Sequence, residues 1–319
     1  MFRYLSLDKY NDLLSSFNLV NTTDIKKINK MLYNISNNID ANYEEIIIHK
    51  KTGGLRFLYA PSKELKSIQK RILKNVLEEK KLSRYSYAYR KKVSVLDNAK
   101  PHVKKDVIVK LDIKDFFDNI TFSMVYDSCF NETLYPKKMG MLFTNLCVYN
   151  NRLPQGAPTS GFISNIVLRN FDEKVGSYCE KRKISYTRYS DDLTFSGNFN
   201  VKDLIKYVNK LLYEYNFRLN KKKIKVVSKK TRQQVTGIVV NEKVNIRRNY
   251  KRKIRQEMYY IKKYSLKSHL KNIAYKCDEK TYLLNLLGRI NYVYNITKDT
   301  EFYNYKKDVT KLVKKLDLK

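Results

Sequence analysis

The sequence has few of the residues that punctuate a chain, with nine glycines and five prolines among 319 residues, well under the average usage of about 12% for the pair. No Gly/Ser-rich or Pro-rich stretch interrupts it, which argues against a flexible tether. Self-similarity at a period of ~20–50 residues is also missing, so a solenoid is excluded. The four cysteines, Cys129, Cys147, Cys179 and Cys277, are far apart, with no C-x-x-C spacing and no histidine at ligand distance. That argues against a zinc site, and buried thiols in a reducing cytoplasm are expected instead. A run of about 18 apolar residues is lacking, and Met1-Phe2-Arg3-Tyr4 does not begin a basic-then-apolar signal. A soluble, unsecreted, cytoplasmic chain without a membrane partner is expected.

Acidic residues are also scarce: 31 Asp and Glu stand against 65 Lys and Arg, a formal net charge of +34 spread along the whole chain. Such an excess strains a compact fold by self-repulsion unless a polyanion neutralises it, and a nucleic acid backbone does so while releasing counterions. Abundant Asn, Ile, Tyr and Lys together also point to a compositional bias of the genome. Nucleic acid is the leading partner class on charge.

Apolar positions at three- and four-residue spacing predict short helices over residues 6–18 and 23–36. Residues 44–49 and 55–59 flank Lys51-Thr52-Gly53-Gly54 as strand, turn and strand, a hairpin made basic by Lys50, Lys51 and Arg56. Ser62 is a plausible N-cap for a helix to about residue 80. Val107–Asp112 reads as a strand ending on an acid, followed by a helix capped near Thr121. One long helical pattern covers 158–182, and 184–196 reads as two strands around Asp191-Asp192. From about Arg248 the chain becomes helical and rich in Lys and Tyr, placing a domain boundary near 241–247.

Phosphoryl transfer to a nucleic acid end needs two divalent ions about 4 Å apart, which two or three carboxylates on rigid elements can hold with waters and phosphate oxygens. Asp112, Asp191 and Asp192 at strand ends meet that need. By itself an Asp-Asp pair is an ordinary turn, since Asp favours turns. Two adjacent carboxylates repel, however, and a cation is the simplest compensation.

Four stretches in order resemble the reverse transcriptase family across most of the chain: Gly54-Leu55-Arg56 leading to Ala60-Pro61-Ser62; Leu111-Asp112-Ile113-Lys114-Asp115-Phe116-Phe117; Leu153-Pro154-Gln155-Gly156-Ala157-Pro158-Thr159-Ser160; and Tyr189-Ser190-Asp191-Asp192. The resemblance implies an α+β fold of the right-hand polymerase type, with a palm built on an antiparallel sheet and a helical thumb. The expected division is an N-terminal cap and fingers over 1–103, with about 130–155 also in the fingers, a palm over 104–240 and a basic thumb over 241–319.

The resemblance also assigns roles. Asp112, Asp191 and Asp192 would be catalytic and hold two Mg2+ ions, with Mn2+ as a substitute and the Ile113 backbone as a further ligand. Phe117 would exclude a ribose 2′-hydroxyl, beside Asp115 and Phe116 in the deoxynucleotide pocket; its alternative is core packing. Gln155 and Gly156 would line the pocket, or form a Pro-flanked turn. Arg56 with Lys51 would clamp the triphosphate. Lys223 would protonate departing pyrophosphate, or be one of three lysines on a solvated edge.

Asn98-Ala99-Lys100-Pro101-His102 and Val235-Thr236-Gly237 resemble the N-A-x-x-H and V-T-G stretches of the retron branch. Ser190 departs from the alanine more usual there. That branch implies a structured noncoding RNA as template and primer, a branched RNA-DNA product, an accessory effector protein and a role against phage. The short span after the thumb is expected to leave no room for a ribonuclease H or endonuclease domain. Arg247, Arg248, Lys251, Arg252 and Arg255, among tyrosines, suit a thumb lying along a nucleic acid backbone. The alternatives are a diversity-generating or truncated group II intron enzyme, or a silent RNA-binding scaffold; Phe117 disfavours RNA synthesis.

Overall fold

In chain order the elements are α1 (Leu7–Ser16), α2 (Ile25–Asn37), β1 (Tyr43–His49), β2 (Leu55–Pro61), α3 (Lys63–Ile72), α4 (Val95–Ala99), β3 (Val107–Asp112), α5 (Phe122–Val125), α6 (Lys137–Cys147), α7 (Ser160–Val167), α8 (Arg169–Glu180), β4 (Ser185–Tyr189), β5 (Asp192–Gly197), α9 (Val201–Glu214), β6 (Lys225–Ser228), β7 (Gln234–Val235), β8 (Ile238–Val239), α10 (Arg248–Tyr264), α11 (Leu266–Asn272), α12 (Glu279–Thr297) and α13 (Thr300–Asp317). They come from a computed structural model that describes residues 6–49 and 53–317. The chain divides into two compact units: residues up to Ser94 with Val109–Val226, and Val95–Ile108 with Val227 onward.

In the first unit, side chains close the helix starts. Ser6 accepts from the Lys9 amide, Asp24 from Lys26 and Lys27, and Ser62 from Leu65, each satisfying a donor that a helix N-terminus leaves orphaned. The helix expected from Ser62 to about residue 80 runs regularly to Ile72 and then widens into a π turn over Leu73–Leu77. The single helix expected over 158–182 is two, broken at Leu168, where ψ is 4°. Such a break barely disturbs three- and four-residue spacing, so the apolar pattern runs through it.

The strands β4-β5-β3-β6 form a sheet in that order. In β5 every residue after Asp192 is buried, and in β4 Tyr186, Thr187 and Arg188 are buried, so both faces of the hairpin are covered. β4 and β5 are antiparallel, with Tyr189 opposite Asp192. β1 and β2 form a separate hairpin with His49 opposite Leu55.

In the second unit Val235, Ile238, Val240 and Ile246 pack in one cluster with α4 residue Ala99 and with Ile254, Leu283, Leu286, Ile290 and Phe302 of the long helices. This unit takes in 95–108 and 227–240 as well as the helices after 247. Among the cysteines, Cys129, Cys147 and Cys179 are buried; Cys277 is exposed, against the expectation of four buried thiols. It lies in the turn between α11 and α12, outside either helix's packed face.

Candidate active site

Asp112 closes β3, and Asp191 and Asp192 turn the corner from β4 into β5. The Ile113 amide donates to the Asp191 carbonyl at 3.0 Å, and the Asn220 amide donates to the Asp112 carbonyl at 2.8 Å. These bonds fasten the end of β3 to the β4–β5 turn and to the segment before β6, so three carboxylates separated by 80 sequence positions share one end of the sheet. Asp112 is 6% exposed, and its Oδ2 accepts from the Lys223 Nζ at 2.8 Å.

The electrostatics are those of carboxylates short of positive charge. Loss of hydration raises the Asp191 carboxyl above its ordinary range, and Asp112 adds to the rise while Lys223 opposes it. Asp192 keeps an open side to solvent, yet partial desolvation, then Asp191 and Asp112, push it up to about 6. Lys223 is raised in turn, first by its hydrogen bond to Asp112. Among the described residues no three Asp, Glu, His or Cys side chains form a complete ligand cage. The donor set nonetheless fits a hard cation that keeps waters and phosphate oxygens, for which one or two carboxylates suffice.

The nucleotide candidates take distinct positions. Phe117 is half-buried, edge-on to buried Phe116 at 5.1 Å and to Tyr89 at 6.4 Å. Asp115 is exposed, with φ +46°, and ion-pairs loosely with Lys114 at 3.8 Å. The Gln155 carbonyl accepts from the Tyr59 amide at 2.8 Å, tying the 153–157 loop to β2. Gly156 has φ +132°, and a Cβ there would lie 2.7 Å from the Tyr59 carbonyl oxygen, so both conformation and space require glycine. Arg56 is exposed on β2. Lys50 and Lys51 lie outside the described residues.

The structure also supplies residues that motif reading missed. Arg188, fully buried on β4, makes a bidentate ion pair with fully buried Asp172 of α8 and donates to the Ser190 carbonyl at 3.1 Å. Tyr186 donates to the same Asp172 carboxylate at 2.8 Å. Tyr89 and Ser190 share a hydroxyl hydrogen bond at 3.1 Å. Two signals were present: an arginine inside a strand three residues before an Asp pair, and an aspartate amid the apolar positions Phe171 and Val175.

In the second unit the Asn98 amide donates to Thr236 Oγ1 at 3.3 Å, and Thr236 Oγ1 donates to the Val95 carbonyl at 3.4 Å. Two stretches 138 positions apart, the second including Val235 and Gly237, thereby meet. His102 is buried. In the helical part Arg255 is committed to Glu301 and Arg247 to Gln234. Arg248 and Arg252 are exposed and Lys251 is half-buried.

Three carboxylates thus share one end of a sheet, and Tyr89 links Phe117 to Ser190 beside them. A family model described as reverse transcriptase (RNA-dependent DNA polymerase) matches residues 48–240. The retron Ec86 reverse transcriptase of Escherichia coli is 32% identical over 228 residues, spanning 70% of this chain and 71% of that one. The retron Ec83 reverse transcriptase of the same species is 32% identical over 279 residues, spanning 80% and 83%. A solved telomerase from Candida albicans overlays with a TM-score of 0.49 and 13% identity, covering 89% of this chain and 68% of that one.

The chain belongs to the reverse transcriptase family and is of the retron type, an RNA-directed DNA polymerase. The family works with divalent metal ions and an RNA template. Among the described residues no helix is long and apolar enough to cross a membrane.

Proposed function

We propose that the chain copies a dedicated, structured noncoding RNA into a branched RNA-DNA hybrid by two-metal nucleotidyl transfer, as the polymerase of an anti-phage system with an accessory effector. The observation that carries the chemistry is the shared end of β3 and β5, where desolvation and then the neighbouring carboxylates raise the proton affinity of Asp191 and Asp192, which favours a cation beside them. Bound Mg2+ would lower the pKa of the attacking hydroxyl and neutralise the triphosphate. Asp112, Asp191 and Asp192 would hold the ions.

The remaining residues bind and orient substrates. Phe117, edge-on to its neighbours, would stand under the sugar of the deoxynucleotide and reject a 2′-hydroxyl. The Gly156 backbone would approach the nucleotide without a side chain intervening, with Gln155, Phe116 and Asp115 around it. Arg56 and Lys51 would grip phosphates. Lys223, whose Nζ is already directed at Asp112, would carry a proton to pyrophosphate. Arg248, Lys251 and Arg252 would follow a nucleic acid backbone, Arg247 and Arg255 doing so on release of Gln234 and Glu301. The division into fingers over 1–103, palm over 104–240 and thumb over 241–319 belongs to the same reading.

The retron product is favoured by the meeting of Asn98 with Thr236, which joins the branch's two characteristic stretches in one unit. The test is to purify the chain from cells carrying its flanking DNA and to treat the bound nucleic acid separately with RNase and DNase. A short DNA joined to a discrete RNA, absent from the Asp191→Asn, Asp192→Asn variant, is expected. RNA without DNA would turn the reading to a silent RNA-binding scaffold.

A further inference from the structure

We infer that the buried Arg188–Asp172 pair is a positioning device that sets the Ser190-Asp191 turn for metal binding. The inference rests on the reading of Asp191 and Asp192 as metal ligands. Both side chains are 0% exposed. Arg188 Nε donates to Asp172 Oδ1 at 2.8 Å and Nη2 to Oδ2 at 2.6 Å, while Nη1 donates to the Ser190 carbonyl at 3.1 Å.

The arginine's own backbone is held as well. Its amide donates to the Tyr85 carbonyl at 2.7 Å, and its carbonyl accepts from the Tyr87 amide at 2.8 Å. With main chain and guanidinium both fixed, the direction of Nη1 is fixed. What it holds is a strained residue: Ser190 has φ +61°, a left-handed conformation at the first position of a two-residue hairpin turn, where glycine is favoured. Such strain persists when surrounding bonds over-determine it.

The next carbonyl along the turn, that of Asp191, accepts from Ile113, the neighbour of Asp112. Successive peptide planes are therefore tied to α8 on one side and to the Asp112 strand on the other. A buried ion pair is seldom retained for stability alone, because apolar residues of like volume often do as well. A planar fork with directed donors supplies geometry instead. Tyr186 provides an internal control: it bonds Asp172 without touching the turn.

The test uses the full chain in three variants, Asp172→Asn, Arg188→Lys and Tyr186→Phe. Two readouts are taken: the rise in melting temperature as Mn2+ is titrated in without nucleic acid, and the Mg2+ dependence of DNA synthesis. Asp172→Asn and Arg188→Lys are expected to raise the half-saturating metal concentration about tenfold or more in both readouts, the scale seen when groups orienting metal ligands are removed. Tyr186→Phe is expected to lower the metal-free melting temperature and leave the metal response within about twofold.

An unchanged metal response in the first two variants would overturn the proposal, as would an equal shift in Tyr186→Phe or failure of both charge variants to fold. The two readings fail separately. A wild type that makes no DNA, with a shifted Mn2+ response in the variants, sinks the polymerase and keeps the positioning pair; active variants with wild-type metal response do the reverse. A wild type that neither responds to metal nor makes DNA sinks both.

Discussion

Two pairs of carboxylates, one pair in each compact unit, are treated in opposite ways. In the helical unit Glu257 receives both terminal nitrogens of Arg289 and the Tyr282 hydroxyl, and Glu301 receives Arg255 and the Tyr305 hydroxyl. Burial tends to raise Glu257, but its bonds to Arg289 and Tyr282 outweigh that and hold it below the ordinary range; Arg255 does the same for Glu301. In the first unit Asp191 and Asp192 are shifted the other way, by desolvation first and then by like-charged neighbours. Glu257 and Glu301, neutralised by the chain itself, tie helices together. Under the proposed function, Asp191 and Asp192, left with repulsion, would receive a cation from outside.

The sharpest way to break this comparison is to remove the unneutralised pair. Asp191→Asn with Asp192→Asn should lower DNA synthesis by about 10³-fold or more in primer extension. RNA affinity by gel shift should stay within about twofold, because phosphate contacts by Lys and Arg dominate it. Parallel loss of RNA binding would make the turn as structural as Glu257.

Next in size is Gly156→Ala, where φ +132° and a Cβ 2.7 Å from the Tyr59 carbonyl oxygen add about 1–3 kcal/mol of strain. It should raise the KM for deoxynucleotide about tenfold in steady-state titration, and an unchanged KM would remove Gly156 from the pocket.

On the neutralised side, Glu257→Gln strands a half-buried Arg289 and should cost about 2 kcal/mol in thermal unfolding, with the metal response untouched. Because Glu257 is depressed below the ordinary value of 4.5, its contribution is present above that pH and is lost as pH falls through the depressed value. That acid loss should vanish in the variant, and its persistence would count against the assignment.

The smallest effect is at Asp192, raised from 3.8 to about 6. Its contribution to metal-free stability is complete below pH 3.8 and is lost as pH rises through about 6. Asp192→Asn should therefore melt about 1–3 °C higher at pH 7 without metal, a gain kept small by solvent screening. Mg2+ should close the gap by stabilising the wild type more; a variant that melts lower would show that Asp192 is not repelled.

The candidate carboxylates could be picked out from residue order, because Asp112, Asp191 and Asp192 belong to short motifs, and the fold brings their strand ends together. The burial of Arg188 against Asp172 could not, since a charged residue in a strand and one on a helix are each ordinary alone. Among three adjacent lysines, spacing does not distinguish Lys223, and only folding brings its ammonium to 2.8 Å from Asp112. The helix break at Leu168 was invisible for the reason that the apolar period survives it.

By itself the sequence determined the excess of positive charge and most of the order of strands and helices, since charge balance and periodicity act over a few residues. Tertiary structure alone decided which carboxylates are neutralised from within. That choice depends on side chains brought together from 16 positions apart, as in Arg188 with Asp172, to 111, as in Lys223 with Asp112, and only packing of whole elements fixes such distances.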